Sequence, residues 1–292
     1  DEAVRIAMRE LASASPGSAE VRYVDGHRAV RVLEEIAPPE PHPEEVFHDG
    51  STWLISGGAG GLGRLVAVEL ARRCRARLVL VGRRPVDRGI LDFCRELEAL
   101  GGRARYARAD LTDPVAVRSA VEEAARRFGP LQNVLHLAGG STAGLVRGAD
   151  DDMLRGSWAA KVEGAVALDE ATRDQPLERF ALFSSSSAYV GAPGQAAYAA
   201  TNRALGEFAH LRNEEARAGR CRGRTQSLIW PVWEDGGITL DDWGRDHLRK
   251  VTGLVPLPTR TGLDAMGAAL ASPVTELCPV AGNLARFREF VS

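Results

Sequence analysis

The 292-residue chain predicts an α/β fold: a doubly wound parallel sheet with helices on both faces, plus a small N-terminal helix and hairpin appendage. Three observations predict it. From about residue 51 onward, short apolar runs alternate with stretches whose apolar residues recur at helical spacing. A glycine-rich turn, Gly57-Gly58-Ala59-Gly60-Gly61-Leu62-Gly63, joins the first run to the first such stretch. A proline-rich tract from Pro38 to Pro43 separates this alternation from what precedes it.

In order, Glu2 to Leu11 reads as a short helix ended by Ser15-Pro16-Gly17-Ser18. Glu20 to Val24 and Arg28 to Leu33 alternate in character about Asp25-Gly26, a hairpin signal. Residues 1–48 are therefore assigned to a structural appendage and linker, and 49–292 to the main domain. Within the latter, Thr52 to Ile55 leads into the glycine turn, and Leu62, Leu65, Val66 and Leu70 mark the helix after it. Further strands are expected at Arg77 to Val81, Ala104 to Ala109, Asn133 to Leu137, Arg179 to Ser184 and Gln226 to Trp230. Between them Ile90, Leu91, Phe93, Cys94 and Leu97 share one helical face, and Val117, Val121, Ala124, Ala125 and Phe128 another.

Bulk properties narrow the function. With 45% hydrophobic residues the chain can bury a full core, and a net charge of -2 gives no reason to expect nucleic acid or an anionic membrane. No stretch approaches a membrane span. Cys74, Cys94, Cys221 and Cys278 form no CxxC pair, so neither a zinc site nor a disulfide framework is expected, and a reducing cytoplasmic setting is the simpler one. The first residue is Asp1 and no signal peptide follows, which reads as a piece of a longer polypeptide.

The glycine turn reads as a phosphate cradle. Glycine allows a sharp turn and close approach of a pyrophosphate, and a helix N-terminus offers unpaired N–H groups. The spacing Gly57-xxx-Gly61-x-Gly63 differs from the common GxGxxG fingerprint, and Gly57, Gly60, Gly61, Leu62 and Gly63 are the candidate contacts. After the second strand stands Gly82-Arg83-Arg84, where an adenosine ribose should lie. Arginine there suits a 2′-phosphate, which favours NADPH over NAD; the alternative is a solvated loop pair. Asp110-Leu111 ends the third strand and is a candidate for the adenine, or Asp110 is only a helix cap.

The motifs Gly57-xxx-Gly61-x-Gly63, His136-Leu137-Ala138-Gly139, Ser185 and Tyr198 resemble the short-chain dehydrogenase/reductase superfamily, whose fold is Rossmann-like. More narrowly, Phe183-Ser184-Ser185 with Gly194-Gln195-Ala196-Ala197-Tyr198-Ala199-Ala200-Thr201-Asn202 is similar to ketoreductase domains of modular polyketide synthases. Most of the superfamily carries lysine four residues after the tyrosine, where this chain has Asn202. Either the site is dead or the lysine is relocated. The narrower family resembles the second case, and Lys161, in Ala160-Lys161-Val162-Glu163-Gly164, matches its earlier lysine position.

The resemblance implies roles that agree with the chemistry. Hydride delivered to a ketone carbon leaves charge on oxygen, which needs a proton and hydrogen-bond donors. Tyr198 is then the acid. A free phenol titrates at about 10 and a nearby ammonium favours the phenolate, a task for Lys161. Ser185 donates to the carbonyl oxygen, Asn202 orders the lysine or a water, and Ala138 and Gly139 belong to the cofactor site. The segment Ile229 to Gly237 resembles ketoreductases of synthases with freestanding acyltransferases, placing Pro231 and Val232 by the nicotinamide carboxamide. Ile238 to Val251, with Trp243 and Leu248, is expected to form a helical lid.

Family members giving the D-hydroxyl usually carry Leu-Asp-Asp where this chain reads Ser141-Thr142-Ala143, so the L-alcohol is expected, although Val190 stands where many L-type enzymes have tryptophan. The expected function is NADPH-dependent reduction of a β-ketoacyl thioester on an acyl carrier protein, beside neighbouring synthase domains. Two rivals stay open: a freestanding reductase of small ketones, and a catalytically silent docking module.

Overall fold

The computed structural model describes residues 2–12, 20–37, 43–140, 151–191, 194–237 and 240–291. It divides into two compact units at Pro38/Pro39. In the smaller, helix α1 (Glu2–Ala12) precedes a hairpin of β1 (Val21–Val24) and β2 (His27–Val30), with Val24 opposite His27. Asp25 and Gly26 both take left-handed backbone angles, φ 50° and 79°, as a two-residue turn that matches strand twist requires. Glu10 ties helix to hairpin. It accepts from the Tyr23 hydroxyl at 2.6 Å and from two Arg28 nitrogens at 2.8 Å each, and Arg28 above all holds its carboxyl well below the usual carboxylate range.

The larger unit opens with α2 (Pro43–Val46), β3 (Thr52–Ser56), α3 (Gly61–Cys74), β4 (Arg77–Gly82), α4 (Arg88–Ala99), β5 (Arg103–Arg108), α5 (Pro114–Phe128) and β6 (Asn133–His136). There follow α6 (Asp151–Trp158), a π-helical turn (Ala159–Glu163), α7 (Gly164–Thr172), β7 (Arg179–Ser185), α8 (Ser187–Val190), α9 (Ala196–Arg217) and β8 (Arg224–Trp230). The last elements are α10 (Asp242–Thr252), α11 (Thr259–Ala271), β9 (Glu276–Leu277) and α12 (Leu284–Val291).

Seven strands form one parallel sheet in the order β5-β4-β3-β6-β7-β8-β9. Successive side chains of a strand point to opposite faces, and both faces are covered. Trp53, Ile55, Leu78, Leu80, Ala181 and Phe183 pack on one side with Val66, Leu70, Phe93 and Met266 of the helices. Leu54, Val79, Val81, Phe180 and Leu182 pack on the other with Val117, Val121, Leu168 and Leu205. The chain winds outward from β3 in one direction and then, from β6, in the other. Sheets of this kind take their ligands at such a reversal, beyond the carboxyl ends of the strands, here β3 and β6.

Three features differ from the sequence expectation. The compact unit takes in residues that composition placed in the linker: Val46 and Phe47 are buried, and Phe47 stacks on Trp53 at 6.3 Å between ring centroids. Strand β9 was not expected, since two residues carry no periodicity. The helix expected from Ile238 starts at Asp242, where the Asp241 side chain accepts from the Gly244 N–H; positions 238 and 239 lie outside the described residues. Among the described residues no helix is long and apolar enough to cross a membrane.

Candidate functional site

The segments marked for chemistry by the sequence meet at one edge of the sheet. Gly57 follows β3, Arg83 follows β4, Ala138 and Gly139 lie just beyond β6, Ser185 ends β7 and Pro231 follows β8. Parallel strands place all these ends on one side, with the glycine turn and the segment after β6 adjacent where the strand order reverses. Gly57 has φ 70°, and a Cβ on it would lie 3.0 Å from the Ala138 nitrogen. At Gly63 a Cβ would sit 2.3 Å from the Gly57 carbonyl oxygen, so only glycine lets α3 start this close to the turn.

The start of α3 is unlike those of its neighbours. Asp87 caps α4 by accepting from the Ile90 N–H, and Asp113 caps α5 by accepting from Val115 and Ala116. Helix α3 has Gly60 at that position and no side-chain cap, which leaves its first amides to an outside acceptor. Beside it Arg83 and Arg84 are exposed, and Arg84 Nη2 donates to the Ala59 carbonyl at 3.5 Å. Arg64, which the sequence did not single out, lies partly buried nearby with its guanidinium 4.1 Å over the Phe93 ring. Asp110 Oδ1 accepts from the backbone N–H and hydroxyl of Thr112, bonds that hold the carboxyl below its ordinary range; the cap of α5 is Asp113, so Asp110 shapes a local turn before the helix and is not its cap. Leu111 is buried, and a Cβ on Gly164 would meet its side chain at 3.0 Å.

Lys161 sits in the π-helical turn, a helix irregularity common at functional sites. It is 4% exposed, and its Nζ donates to the Phe183 carbonyl at 2.8 Å. The same Nζ lies 5.7 Å from the centre of the Tyr198 ring. Burial pushes this ammonium down to about 8. Its stem passes across the loop after β6, since a Cβ on Gly139 would lie 2.6 Å from Lys161 Cγ.

Tyr198 is in the first turn of α9, half-buried, and Asn202 lies one turn on, fully buried. The Asn202 amide donates to the Tyr198 carbonyl at 2.8 Å, while its Oδ1 has no hydrogen-bond partner among the described residues. The structure separates the serines of the Ser184 to Ser187 run. Ser184 is buried and spends its hydroxyl on the Asn202 carbonyl at 2.9 Å. Ser185 is half-buried and accepts from the N–H and hydroxyl of Ser187, so its own proton stays free for a ligand. Lys161, Tyr198, Ser185 and Asn202 thus converge around the carboxyl end of β7.

Pro231 is buried and Val232 half-buried; the Leu257 N–H donates to the Val232 carbonyl at 2.7 Å. Their loop returns to the glycine turn, where a Cβ on Gly61 would lie 3.0 Å from the Gly236 carbonyl oxygen. Of the tryptophans nearby, Trp230 and Trp233 are core, packed edge to face at 4.9 Å. Trp243 on α10 is 73% exposed and stacks on His247. Leu248 is half-buried, and Val190 lies in α8. Ser141, Thr142 and Ala143, the basis of the stereochemical expectation, lie outside the described residues.

A family model described as the KR domain matches residues 51–235. The chain belongs to the KR domain family. This KR domain is 33% identical over 270 residues to polyketide synthase PksN of Bacillus subtilis (strain 168), an alignment covering 92% of the chain and 5% of that protein. PksL of the same organism is also 33% identical, over 94% of the chain and 6% of its own length, so the chain spans about a twentieth of these relatives. Among solved structures, a ketoreductase domain from the bacillaene assembly line superposes with TM-score 0.85 at 31% identity, covering 99% of this chain and 68% of that one. An N-terminal ketoreductase from the macrolactin assembly line gives TM-score 0.77 at 30% identity, over 91% and 50%. KR domains take a nicotinamide dinucleotide, and this one's residues fit such a group: uncapped α3 amides, glycines whose Cβ atoms would fill the cradle, and the unpartnered Asn202 Oδ1.

Proposed function

We propose that this KR domain uses NADPH to reduce a β-ketoacyl thioester, tethered to an acyl carrier protein, to the β-hydroxyacyl form during polyketide assembly. The observation that carries this is the buried Lys161 ammonium beside the Tyr198 ring, next to a Ser185 hydroxyl free to donate. NADPH, when bound, supplies hydride to the ketone carbon. Tyr198 then gives its phenolic proton to the oxygen, Ser185 donates a hydrogen bond to the same oxygen, and Lys161 stabilises the phenolate that remains. Asn202 keeps Tyr198 on the first turn of α9 through its backbone, and its open Oδ1 suits a water or the lysine.

For the cofactor, Gly57, Gly60, Gly61, Leu62 and Gly63 would receive the pyrophosphate and Arg83 with Arg84 the 2′-phosphate. Asp110 and Leu111 would border the adenine, Ala138, Gly139 and Lys161 the nicotinamide ribose, and Pro231 and Val232 the carboxamide. Helix α10 would cover the substrate, and the N-terminal unit, especially Glu20 to Leu33, would stabilise and dock rather than catalyse. Ser141-Thr142-Ala143 in place of Leu-Asp-Asp supports an L-hydroxyl product. The relatives are polyketide synthases far longer than this chain, which supports a carrier protein and neighbouring synthase domains as partners in the cytoplasm.

The test is NADPH oxidation with a short β-ketoacyl pantetheine thioester and with its carrier-bound form. Tyr198→Phe is expected to cut turnover by about a hundredfold to ten-thousandfold while NADPH still binds. No turnover by the unmutated chain on either substrate would sink the reductase reading.

A further inference from the structure

His136 has no role in the chemistry above, yet it is 1% exposed at the carboxyl end of β6 and bonded on both ring nitrogens. Nε2 lies 2.8 Å from the backbone carbonyl oxygen of Lys161, and Nδ1 lies 2.7 Å from Ser56 Oγ at the end of β3. A carbonyl only accepts, so the ring proton is on Nε2, and the Ser56 hydroxyl donates to Nδ1. Ser56 Oγ in turn accepts from the Ala138 N–H at 3.3 Å. One line of hydrogen bonds therefore joins the segment after β6, the end of β3 next to the glycine turn, and the turn that carries Lys161.

That turn departs from the regular four-residue ladder: the Gly164 N–H reaches back to the carbonyls of both Ala159 and Lys161. His136 meets the irregular carbonyl from outside the helix. Room for the imidazole comes from Gly164, where a Cβ would lie 3.4 Å from His136 Cε1. The ring N–H is thus spent on a main-chain oxygen of the very turn that carries the lysine of the site.

We propose that His136 is the positioning residue for Lys161, its Nε2–H holding the π-helical turn in the shape that aims the ammonium at the Phe183 carbonyl and the Tyr198 ring. This rests on the assignment of Lys161 and Tyr198 above. Burial pushes the imidazole down to about 4, which keeps the neutral Nε2–H form in place through the neutral pH range.

The sequence supplies a direct probe, because Lys161 and Lys250 are its only lysines. Protein labelled with carbon-13 at the lysine ε-carbon should give two NMR signals, and Lys250→Arg assigns them. The Lys161 midpoint is read in unliganded protein, without turnover. His136→Phe keeps a buried ring but loses the donor; the turn relaxes, water reaches the ammonium, and the midpoint is expected to rise by about 0.5 or more on the pH scale. His136→Gln, whose amide N–H reaches toward the same carbonyl, is expected to restore the original midpoint. Should His136→Phe fail to fold, Ser56→Ala frees the ring to take its other tautomer and is expected to move the midpoint the same way.

In the reductase assay the pH profile of kcat should shift upward with the midpoint in His136→Phe and return in His136→Gln. A purely structural histidine would lower Tm and leave both readouts unmoved. Unchanged midpoints in folded His136→Phe, or in Ser56→Ala where His136→Phe does not fold, overturn the proposal. A shifted midpoint in a chain with no reductase turnover would uphold the positioning role and overturn the functional reading instead.

Discussion

Lys161 shows how burial sets the behaviour of one side chain. An ammonium removed from water loses hydration that a single carbonyl partner only partly restores, so its proton is held less tightly. In the unfolded chain the lysine keeps its proton up to about 10.5, and in the folded chain to about 8. Between these values the unfolded state binds more protons, so stability rises with pH; below about 8 the penalty is present in full. Lys161→Met is therefore expected to raise stability at pH 7 by about 2–3 kcal/mol, with the gain vanishing above about pH 10.5, while abolishing turnover. Denaturant unfolding at pH 7 and pH 10.5 checks the sign. Lys161 was legible in the sequence only through the exchange with Asn202, and nothing there revealed its depth. Within the serine run, spacing alone could not separate Ser185 from its neighbours; only the folded chain commits the Ser184 hydroxyl to the Asn202 carbonyl.

Among the elements, the glycine turn with α3 carries the sharpest constraint. Its glycines were legible because the turn is local, seven residues long and flanked by a strand and a helix. The structure adds why Gly63 is needed: its Cα faces the Gly57 carbonyl, six residues back. Gly63→Ala is expected to cost about 1–3 kcal/mol by forcing that contact apart. It should also abolish NADPH binding, measured by cofactor fluorescence, because the first α3 amides move with the turn. The π-helical turn had no sequence signal, since its lysine and alanines suit an ordinary helix, and both its own Gly164-to-Ala159 bond and the His136 contact from β6 form only in the folded chain.

For the molecule as a whole, the core reaches beyond the boundary that composition marked. Proline-rich sequence looks like linker, yet Val46 at the end of α2 and Phe47 just after it are buried against one face of the sheet. Arg179 also bonds the Glu45 carbonyl, fastening α2 to the start of β7. A chain beginning at residue 39 is expected to keep a single cooperative transition. One beginning at residue 49 should lose about 3–5 kcal/mol, the usual result of deleting a buried aromatic. Thermal and urea unfolding of the two trimmed chains make the comparison. Equal stability would return the boundary to the place suggested by composition.

The first six strands of the sheet and the helices with clear apolar periods could be read directly, because helix and strand periods, glycine turns and proline tracts are properties of neighbouring residues. The candidate residues at the strand ends followed, since alternating strands and helices imply a parallel sheet and a parallel sheet collects its carboxyl ends. Strand order, the burial of Lys161 and the tie from Ser56 through His136 to the lysine carbonyl belong to the folded molecule. Ser56 and His136 are 80 positions apart and His136 and Lys161 are 25 apart. Desolvation and hydrogen bonding act between groups that only packing brings together, so no spacing in the chain records them.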